Sequence, residues 1–442
     1  MKKIILIFIL TILSANAEWI PAKVEQSHSP FAKDNSSMIF MGLDCADSEN
    51  CMAIANDNFY YRVIYKSTDK GKTWEMVFKP DYGNYISQPL LRSITYPSKN
   101  KCIVGSDSGL VFLTNDAGKS WSKIITPIKD YTVKNPNFRT LQSIKMLDSM
   151  NGVASSQQFI LHTSDGGSNW NVISKPDSNA FLWDAILLSK NSILAYGLCQ
   201  EKNKDCPYYE TMFITDDLGK SWEFNNFSQI DSLTDFKSVA NRRLFFLDSL
   251  NGWVSAGERT GVGDKETEKL AITSDGGKTW TLKRNQLGLT NFPIVDYSFY
   301  DNNKGIITTK TGGISWTKDG GTTWLIDSIP NRLAILPPNV YVCYRNVNNP
   351  LIADYNGRIF YWSNETSVED QVPKNVEFFY PNPVSDFLTI NTRQETDKIE
   401  IFSAIGLKVF ETELQEKIDV SGLAPGVYFV RMGSELRKFI KI

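Results

Sequence analysis

The chain has 442 residues, of which 42% are hydrophobic, 12% aromatic and 22% charged. Its 47 Lys and Arg side chains nearly balance 49 Asp and Glu side chains, which leaves a formal net charge of −2. The length exceeds that of one typical domain. The near-neutral charge gives no electrostatic reason to expect a nucleic-acid partner or an anionic membrane surface.

The first 17 residues have the pattern of a secretory signal peptide. Lys2 and Lys3 precede an apolar run at residues 4–13, and Ala15-Asn16-Ala17 is a small-residue cleavage site. The alternative is a membrane anchor, but the run has only about half of the roughly 20 residues that a membrane-spanning helix needs. We therefore predict a mature chain that begins near Glu18, with no integral membrane span.

Six cysteines in an exported protein can form disulfides. Two pairs flank short polar segments, and we predict a local disulfide within each pair, Cys45 with Cys51 and Cys199 with Cys206. Buried free thiols are the alternative, because spacing alone does not fix connectivity. The other two cysteines lie in apolar, strand-like runs and are predicted to be core residues.

An octamer such as TSDGGKTW occurs six times, with the frame hydroxyl, any residue, Asp, any residue, Gly, two residues, Trp. Successive tryptophans are 47, 49, 52, 58 and 44 residues apart, and a period of this size is typical of a propeller or a solenoid. The recurring acid, glycine and tryptophan of the six copies are Asp69, Gly71, Trp74, Asp116, Gly118, Trp121, Asp165, Gly167, Trp170, Asp217, Gly219, Trp222, Asp275, Gly277, Trp280, Asp319, Gly321 and Trp324.

The chemistry of the octamer predicts the turn of a β-hairpin. The hydroxyl and the carboxylate can bond backbone N–H groups, the glycine permits a positive φ, and the tryptophan begins the next strand with a large apolar surface. A calcium loop is disfavoured because each copy has only one invariant carboxylate. A phosphate loop is disfavoured because a strand follows instead of a helix. We therefore predict no metal and no cofactor.

These residues resemble the Asp-box, or BNR, repeat of β-propellers such as sialidases, sortilin-like receptors, xyloglucanases and photosystem II assembly factors. The resemblance implies an all-β propeller in which the box is structural and lies away from any active site.

Strand-like runs before each box predict four strands per repeat, as in a propeller blade. Residues 333–363 supply three further strands without a box, and the start of the mature chain can supply the fourth. The sequence thus predicts a seven-bladed β-propeller at residues 18–362, with a six-bladed ring as the alternative. In the seven-bladed ring, Trp19 and Tyr361 share one sheet.

A polar linker is predicted at residues 363–375, followed by a small C-terminal β-sandwich at 376–442. YPNPVSDFLTI at 380–390, LAPGVYFVR at 423–431 and the terminal KFIKI resemble the C-terminal sorting domain of type IX secretion cargo. The resemblance implies a Bacteroidetes-type bacterium, contact of the tail with the type IX secretion machinery, and a secreted or outer-membrane-surface location. The alternative is an accessory sandwich that binds a ligand.

Because the box turns share one face of the propeller, the opposite face carries the links between blades and should carry function. Links on that face contain seven aromatic residues, Tyr82, Tyr85, Tyr131, Phe138, Phe181, Trp183 and Phe292. Alignment of the first strands places five polar residues near the channel entrance, Arg92, Gln142, Asp184, Arg242 and approximately Asp296. Such a set suits a sugar or a peptide ligand. The alternative is that the aromatics only cover blade ends.

Catalysis has little support in the sequence. The two histidines, His28 and His162, are far apart, which disfavours a Ser-His-Asp or zinc site. The arginine motif of sialidases is absent. Asp184 and Asp296 are candidates for the paired carboxylates of a glycosidase. We therefore expect a noncatalytic binding propeller whose partner is a polysaccharide or a cell-surface protein, with a glycoside hydrolase as the alternative.

Overall fold

The computed structural model describes residues 18–26, 38–57, 62–78, 89–130, 136–173, 175–176, 180–199, 210–226, 243–258, 267–283, 294–309, 313–327, 340–344, 349–354, 356–363, 379–380, 383–390, 398–404, 406–413, 415, 417–432 and 435–442. The chain divides into two compact units, Met1–Glu365 and Thr366–Ile442. Among the described residues, none lies in a helix long and apolar enough to cross a membrane.

In the described part of the first unit, the strands form seven sheets, numbered here in chain order, and all their pairings except that of β2 are antiparallel. Two short strands precede them, β1 (Glu18–Pro21) and β2 (Lys23–Val24). Sheet 1 contains β3 (Met38–Cys45), β4 (Cys51–Asp57), β5 (Arg62–Ser67) and β6 (Thr73–Phe78). Sheet 2 contains β7 (Leu91–Ser98), β8 (Lys101–Ser106), β9 (Leu110–Thr114) and β10 (Ser122–Ile125). Sheet 3 contains β11 (Ser143–Met146), β12 (Gly152–Ser155), β13 (Ile160–Thr163) and β14 (Asn171–Ile173).

Sheet 4 contains β15 (Ala180–Leu187), β16 (Ile193–Cys199), β17 (Glu210–Thr215) and β18 (Glu223–Asn226). Sheet 5 contains β19 (Leu244–Phe246), β20 (Gly252–Glu258), β21 (Thr267–Thr273) and β22 (Thr281–Lys283). Sheet 6 contains β23 (Ile294–Phe299), β24 (Gly305–Thr309), β25 (Ile314–Thr317) and β26 (Leu325–Ile326). Sheet 7 contains β27 (Tyr341–Cys343), β28 (Leu351–Ala353) and β29 (Ile359–Ser363). Short 3-10 turns occur at Asp107–Gly109, Pro127–Asp130 and Pro136–Arg139.

The sheets form a ring, which is the predicted all-β propeller. First strands pack side by side from sheet 1 to sheet 5 and from sheet 6 to sheet 7, and β27 of sheet 7 lies against β3 of sheet 1. Sheets 5 and 6 meet through the rings of Phe245 and Tyr297. The N-terminal strand β1 pairs with β29, with Trp19 opposite Trp362 and Ile20 opposite Tyr361, so that Trp19 and Tyr361 lie in one sheet. Beyond it, β2 adds a parallel strand to β6 of sheet 1. The N-terminal segment thus covers one edge of sheet 7 and one edge of sheet 1 that would otherwise be exposed.

Three indoles and one acid hold this closure together. The Nε1–H groups of Trp19 and Trp316 both donate to Asp327 Oδ2, each at 2.9 Å. Trp362 completes the cluster, with its ring centroid 5.2 Å from that of Trp19 and 4.8 Å from that of Trp316. Because Trp316 belongs to sheet 6 and the other two indoles belong to sheet 7, the cluster joins the last two sheets.

Each octamer forms a tight turn before the fourth strand of its sheet. In one copy, Thr273 Oγ1 donates to Asp275 Oδ1 at 2.8 Å and accepts the Gly277 N–H at 2.9 Å. Asp275 also accepts the backbone N–H of Thr279 at 2.9 Å, and the Trp280 indole donates to the Gly277 carbonyl at 3.0 Å. The hydroxyl-to-acid and glycine-to-hydroxyl bonds recur in all six turns.

Glycine is required at the fifth box position. Gly277 has φ of 85°, a conformation that side chains disfavour, and a Cβ there would lie 2.8 Å from Leu194 of the neighbouring sheet.

The predicted disulfide between Cys45 and Cys51 is present and closes the hairpin between β3 and β4. Within that hairpin, Asp47 Oδ1 accepts the Asn50 N–H at 2.8 Å. Cys206 and the Cys199 side chain lie outside the described residues, so their pairing stays a prediction. The remaining cysteines are both buried, as expected of core residues.

The second unit is a small β-sandwich. One sheet contains β30 (Phe379–Tyr380), β31 (Phe387–Ile390) and β34 (Lys417–Asp419), and the other contains β32 (Lys398–Ser403), β33 (Lys408–Glu413), β35 (Gly426–Met432) and β36 (Glu435–Lys441). Its buried core comprises Val384, Leu388, Ile399, Ile401, Ile418, Val420, Val430 and Phe439.

The fourth box allows a matched test of the turn chemistry, because it contains adjacent acids with different roles. Hydrogen bonds from Ser221 lower the pKa of Asp217 from its ordinary value of 3.8 to about 2, whereas Asp216 is exposed. We expect Asp217→Ala to lower the thermal unfolding midpoint by about 1–3 °C at neutral pH, and Asp216→Ala to leave it unchanged.

A depressed folded-state pKa contributes stability that is present above the ordinary value of 3.8 and is lost as the pH falls through about 2. The difference between wild type and Asp217→Ala should therefore shrink as the pH is lowered across this window. Equal unfolding midpoints for the two alanine variants at neutral pH would contradict the turn assignment.

The closure cluster predicts that Asp327→Ala destabilises the ring. The substitution leaves two indole N–H groups without their acceptor, at a cost of about 1–3 kcal/mol. Urea unfolding of the purified full chain, followed by tryptophan fluorescence, measures this loss. Glu223→Ala, at an exposed position on β18, is the control. A loss no larger than that of the control would mean that Asp327 does not hold the closure.

Candidate functional site

The first strands of all seven sheets surround a cavity of about 130 Å³ on the axis of the ring. Its polar lining residues are Asp44, Ser93, Thr95, Ser143, Lys145, Arg243, Asp296 and Ser298. Within the described ranges, no group of three or more His, Cys, Asp or Glu side chains could hold a metal ion.

One buried ion pair bridges sheets 3, 4 and 5. Lys145 Nζ of β11 donates to Asp184 Oδ2 of β15 and, at 2.6 Å, to the carbonyl of Leu244 at the start of β19. Asp184 is 1% exposed and also accepts the Ala185 N–H at 2.8 Å and the Leu244 N–H at 2.7 Å. Burial lowers the pKa of Lys145, and the Asp184 carboxylate opposes that change. Both carboxylate oxygens are therefore occupied by protein donors.

A second ion pair, between a buried acid and a partly exposed arginine, bridges sheets 5, 6 and 7. Asp296 Oδ1 accepts from Arg243 Nη1 at 2.9 Å and from the Tyr297 N–H at 3.0 Å, and Oδ2 accepts the Val342 N–H at 3.0 Å. Burial raises the pKa of Asp296, and Arg243 opposes that rise. In return, Asp296 raises the pKa of Arg243. This carboxylate, too, has donors on both oxygens.

Asp44 repeats the arrangement between sheets 1 and 2. It accepts the N–H of the next residue, Cys45, at 2.9 Å and the N–H of Tyr96 in β7 at 2.7 Å. In all three cases the acid bonds the following N–H of its own strand and an N–H of the next sheet. These carboxylates thus connect sheets that share no backbone ladder.

The polar residues predicted at the channel entrance do not stand at equivalent positions of their first strands. The pairing register shifts between Leu91 and Ser93, between Leu182 and Asp184, and between Ile294 and Asp296. The bulged residues are therefore Arg92, Trp183 and Val295, each one position before the inward-facing residue. Gln142 likewise precedes Ser143, which lines the cavity, and its own side chain is exposed.

The structure thus places Arg92, Gln142 and Trp183 at matching positions on sheets 2, 3 and 4. It places Asp184 and Asp296 one residue further along their strands, in separate ion pairs. Arg242 and the aromatic residues Tyr82, Tyr85, Tyr131 and Phe292 lie outside the described residues.

Three of the predicted aromatic residues lie together at this entrance. The ring centroid of Phe181 is 6.3 Å from that of Phe138 and 6.5 Å from that of Trp183. Trp183 in turn packs edge-on against the buried Tyr196, with centroids 5.1 Å apart. All three entrance rings are half-buried.

Arg92 is held in place by an acid from the turn after β8. Its Nε and Nη2 donate to the two carboxylate oxygens of Asp107 at 2.8 and 3.2 Å. Thr140 Oγ1 also donates to Asp107 at 3.1 Å. These two bonds fix the plane of the guanidinium. The Arg92 side chain is about one-third exposed, so part of it faces solvent.

Sequence reasoning missed Lys145, Arg243 and Asp107. A cation within or next to an apolar first strand, as in SIKM or RRLFF, was the available signal that a buried acid lies nearby. The local sequence did not identify the partner of each charged residue, because that partner comes from another sheet or another turn.

Residues 378–442 match the family of secretion system C-terminal sorting domains. The prediction that the tail is a type IX sorting domain is confirmed. The domain indicates export by type IX secretion to the cell surface or the extracellular space. No curated protein matches the chain by sequence.

Solved structures similar to this chain include β-propellers. YCF48 bound to a D1 peptide has a TM-score of 0.53 and 17% identity, over 78% of this chain and 97% of that chain. YCF48 from Cyanidioschyzon merolae has a TM-score of 0.52 and 14% identity, over 78% and 98%. The Cps50 (Swd1) β-propeller domain from Myceliophteria thermophila has a TM-score of 0.50 and 10% identity, over 75% and 98%. At these identities the likeness shows the fold alone.

The bridging role of Asp184 predicts a large stability loss in Asp184→Asn. The amide leaves Lys145 buried without a counter-charge, and breaking a buried pair in this way costs about 3–5 kcal/mol. Urea unfolding of the full chain measures the loss. The control is Asp107→Asn, in a pair that is more exposed on both sides, where we expect about 0–1 kcal/mol. Equal losses in the two variants would contradict the assignment.

Proposed function

We propose that the protein is an exported, noncatalytic binding propeller. Its ligand, a polysaccharide or a protein of the cell surface, binds at the channel entrance on the face that carries the links between sheets. The observation that carries this proposal is that both candidate catalytic acids are fully engaged in holding neighbouring sheets together.

A glycosidase needs one protonated carboxyl group that reaches the leaving oxygen and a second carboxylate that attacks or activates water. The raised pKa of Asp296 would suit the acid. Its oxygens, however, accept three donors from Arg243, Tyr297 and Val342. Asp184 is held by Lys145 and two backbone N–H groups in the same way. Neither group is directed at a substrate, which disfavours the hydrolase.

The entrance itself favours binding. Ligand sites combine aromatic surfaces with a few well-placed polar groups. Here the half-buried rings of Phe138, Phe181 and Trp183 lie together, and the exposed Gln142 and the fixed guanidinium of Arg92 stand at the matching positions of sheets 3 and 2. Export to the cell surface or beyond brings this face to extracellular polymers and surface proteins.

The test uses the purified full chain and a broad panel of insoluble polysaccharides. Retained protein and released reducing ends are measured in the same tubes, with heat-denatured protein as the control. We expect retention by at least one polysaccharide and no release above that control. Release of reducing ends by the folded protein would overturn the proposal. If the protein is neither retained nor active, chemical crosslinking on intact cells should capture a surface protein, and failure to capture one would also overturn it.

A further inference from the structure

We infer that the ligand is a neutral polysaccharide and that Arg92, Gln142 and Trp183, named here the entrance triad, form its first subsite. This inference rests on the proposed binding function and goes further by assigning the ligand class and the residues that recognise it.

The position of the triad follows from the strand geometry. Arg92, Gln142 and Trp183 stand at matching positions of three consecutive sheets, whose first strands pack side by side. Two of the three are bulged residues, which interrupt the in-and-out alternation of their strands. A bulge re-aims a side chain next to a binding site, and it is often found in that setting. The triad thus lies at the rim of the channel, one residue before the positions whose side chains face inward.

The chemistry of the triad matches a sugar ring. A pyranose has a face of C–H groups, which packs against an aromatic ring, and an edge of hydroxyl groups that both donate and accept hydrogen bonds. Trp183 supplies the aromatic surface, and its contacts with Phe181 and Tyr196 fix its orientation before a ligand arrives. The amide of Gln142 can donate and accept, and the guanidinium of Arg92 donates. Fixing these groups in advance reduces the entropic cost of binding.

The charges at the entrance and in the channel select against an acidic ligand. In the described part of this region, three cations are each paired with an acid, in the pairs Arg92–Asp107, Lys145–Asp184 and Arg243–Asp296. A uronate or sulfate group would need a cation that is not already neutralised. Because Asp107 already neutralises Arg92, the one cation of the triad, a neutral chain meets no electrostatic penalty there and an anionic chain gains no counter-charge from Arg92.

The experiment is affinity electrophoresis of the full chain through gels that contain a neutral polysaccharide, such as a β-glucan, xylan or mannan, or an anionic one, such as alginate or heparin. We expect retardation by at least one neutral polymer and by neither anionic polymer. For the neutral polymer, the dissociation constant should change less than about two-fold between low and high salt, because no charge pairs form across the interface.

Substitutions then map the subsite. We expect Trp183→Ala to weaken binding of the neutral polymer by about ten-fold or more, and Gln142→Ala by about five-fold, which corresponds to loss of about one hydrogen bond. Gln142 is exposed, so its substitution tests the subsite without affecting the fold. Phe224→Ala, in the fourth strand of the same sheet as Trp183 and 39% exposed, is the control and should leave binding unchanged.

The outcomes separate this inference from the proposed function. Salt-sensitive retardation by an anionic polymer would overturn the neutral assignment. Unchanged binding of a neutral polymer by both Trp183→Ala and Gln142→Ala would overturn the subsite but leave the binding function standing. Failure to bind any polysaccharide would overturn this inference, and the binding function would fall with it only if crosslinking on intact cells also captured no partner.

Discussion

The ring depends on buried carboxylates that join the first strand of one sheet to the first strand of the next. Sheets of a propeller share no backbone ladder, and only isolated backbone bonds, such as that from the Leu182 N–H to the Gln157 carbonyl, link them here, so side chains add to the connection. Asp44, Asp184 and Asp296 each bond an N–H of their own strand and an N–H of the following sheet. A buried carboxylate is tolerated only when donors or a cation compensate for its lost hydration. Lys145 and Arg243 supply that compensation on one side of the channel.

The same constraint limits what the channel can do. Acids that bridge sheets cannot move, accept a substrate proton or attack an anomeric carbon without weakening the ring. The channel acids therefore act as internal supports, and the recognition surface that we propose begins one residue before the inward-facing residue of the first strand. That residue is bulged or exposed on sheets 2, 3 and 4, where it is Arg92, Gln142 and Trp183.

Features governed by local chemistry could be predicted from the sequence. The box turns, the hairpin closed by Cys45 and Cys51, and the pairing of the N-terminal strand with residues 359–363 all follow from residue types at short or repeated spacings. The bulges could not be predicted, because one extra residue in a strand leaves no mark on composition. An alignment of first strands that ignores them places Asp184 and Asp296 level with Arg92 and Gln142. The partners Lys145 and Arg243 depend on packing between sheets, which the sequence of one strand does not specify.

A comparison of box residues with entrance residues explains why the boxes carry no functional information. At the box, all six copies use the hydroxyl and the acid to satisfy their own turn, so these groups have the same hydrogen bonds in each of sheets 1 to 6. At the entrance position, the sheets instead carry a methionine, an arginine, a glutamine, a tryptophan and a valine at Met41, Arg92, Gln142, Trp183 and Val295. In a closed ring of repeats, the residue type can differ between repeats only at positions whose side chains do not help to close the ring. Recognition by this protein should therefore be sought where its repeats differ.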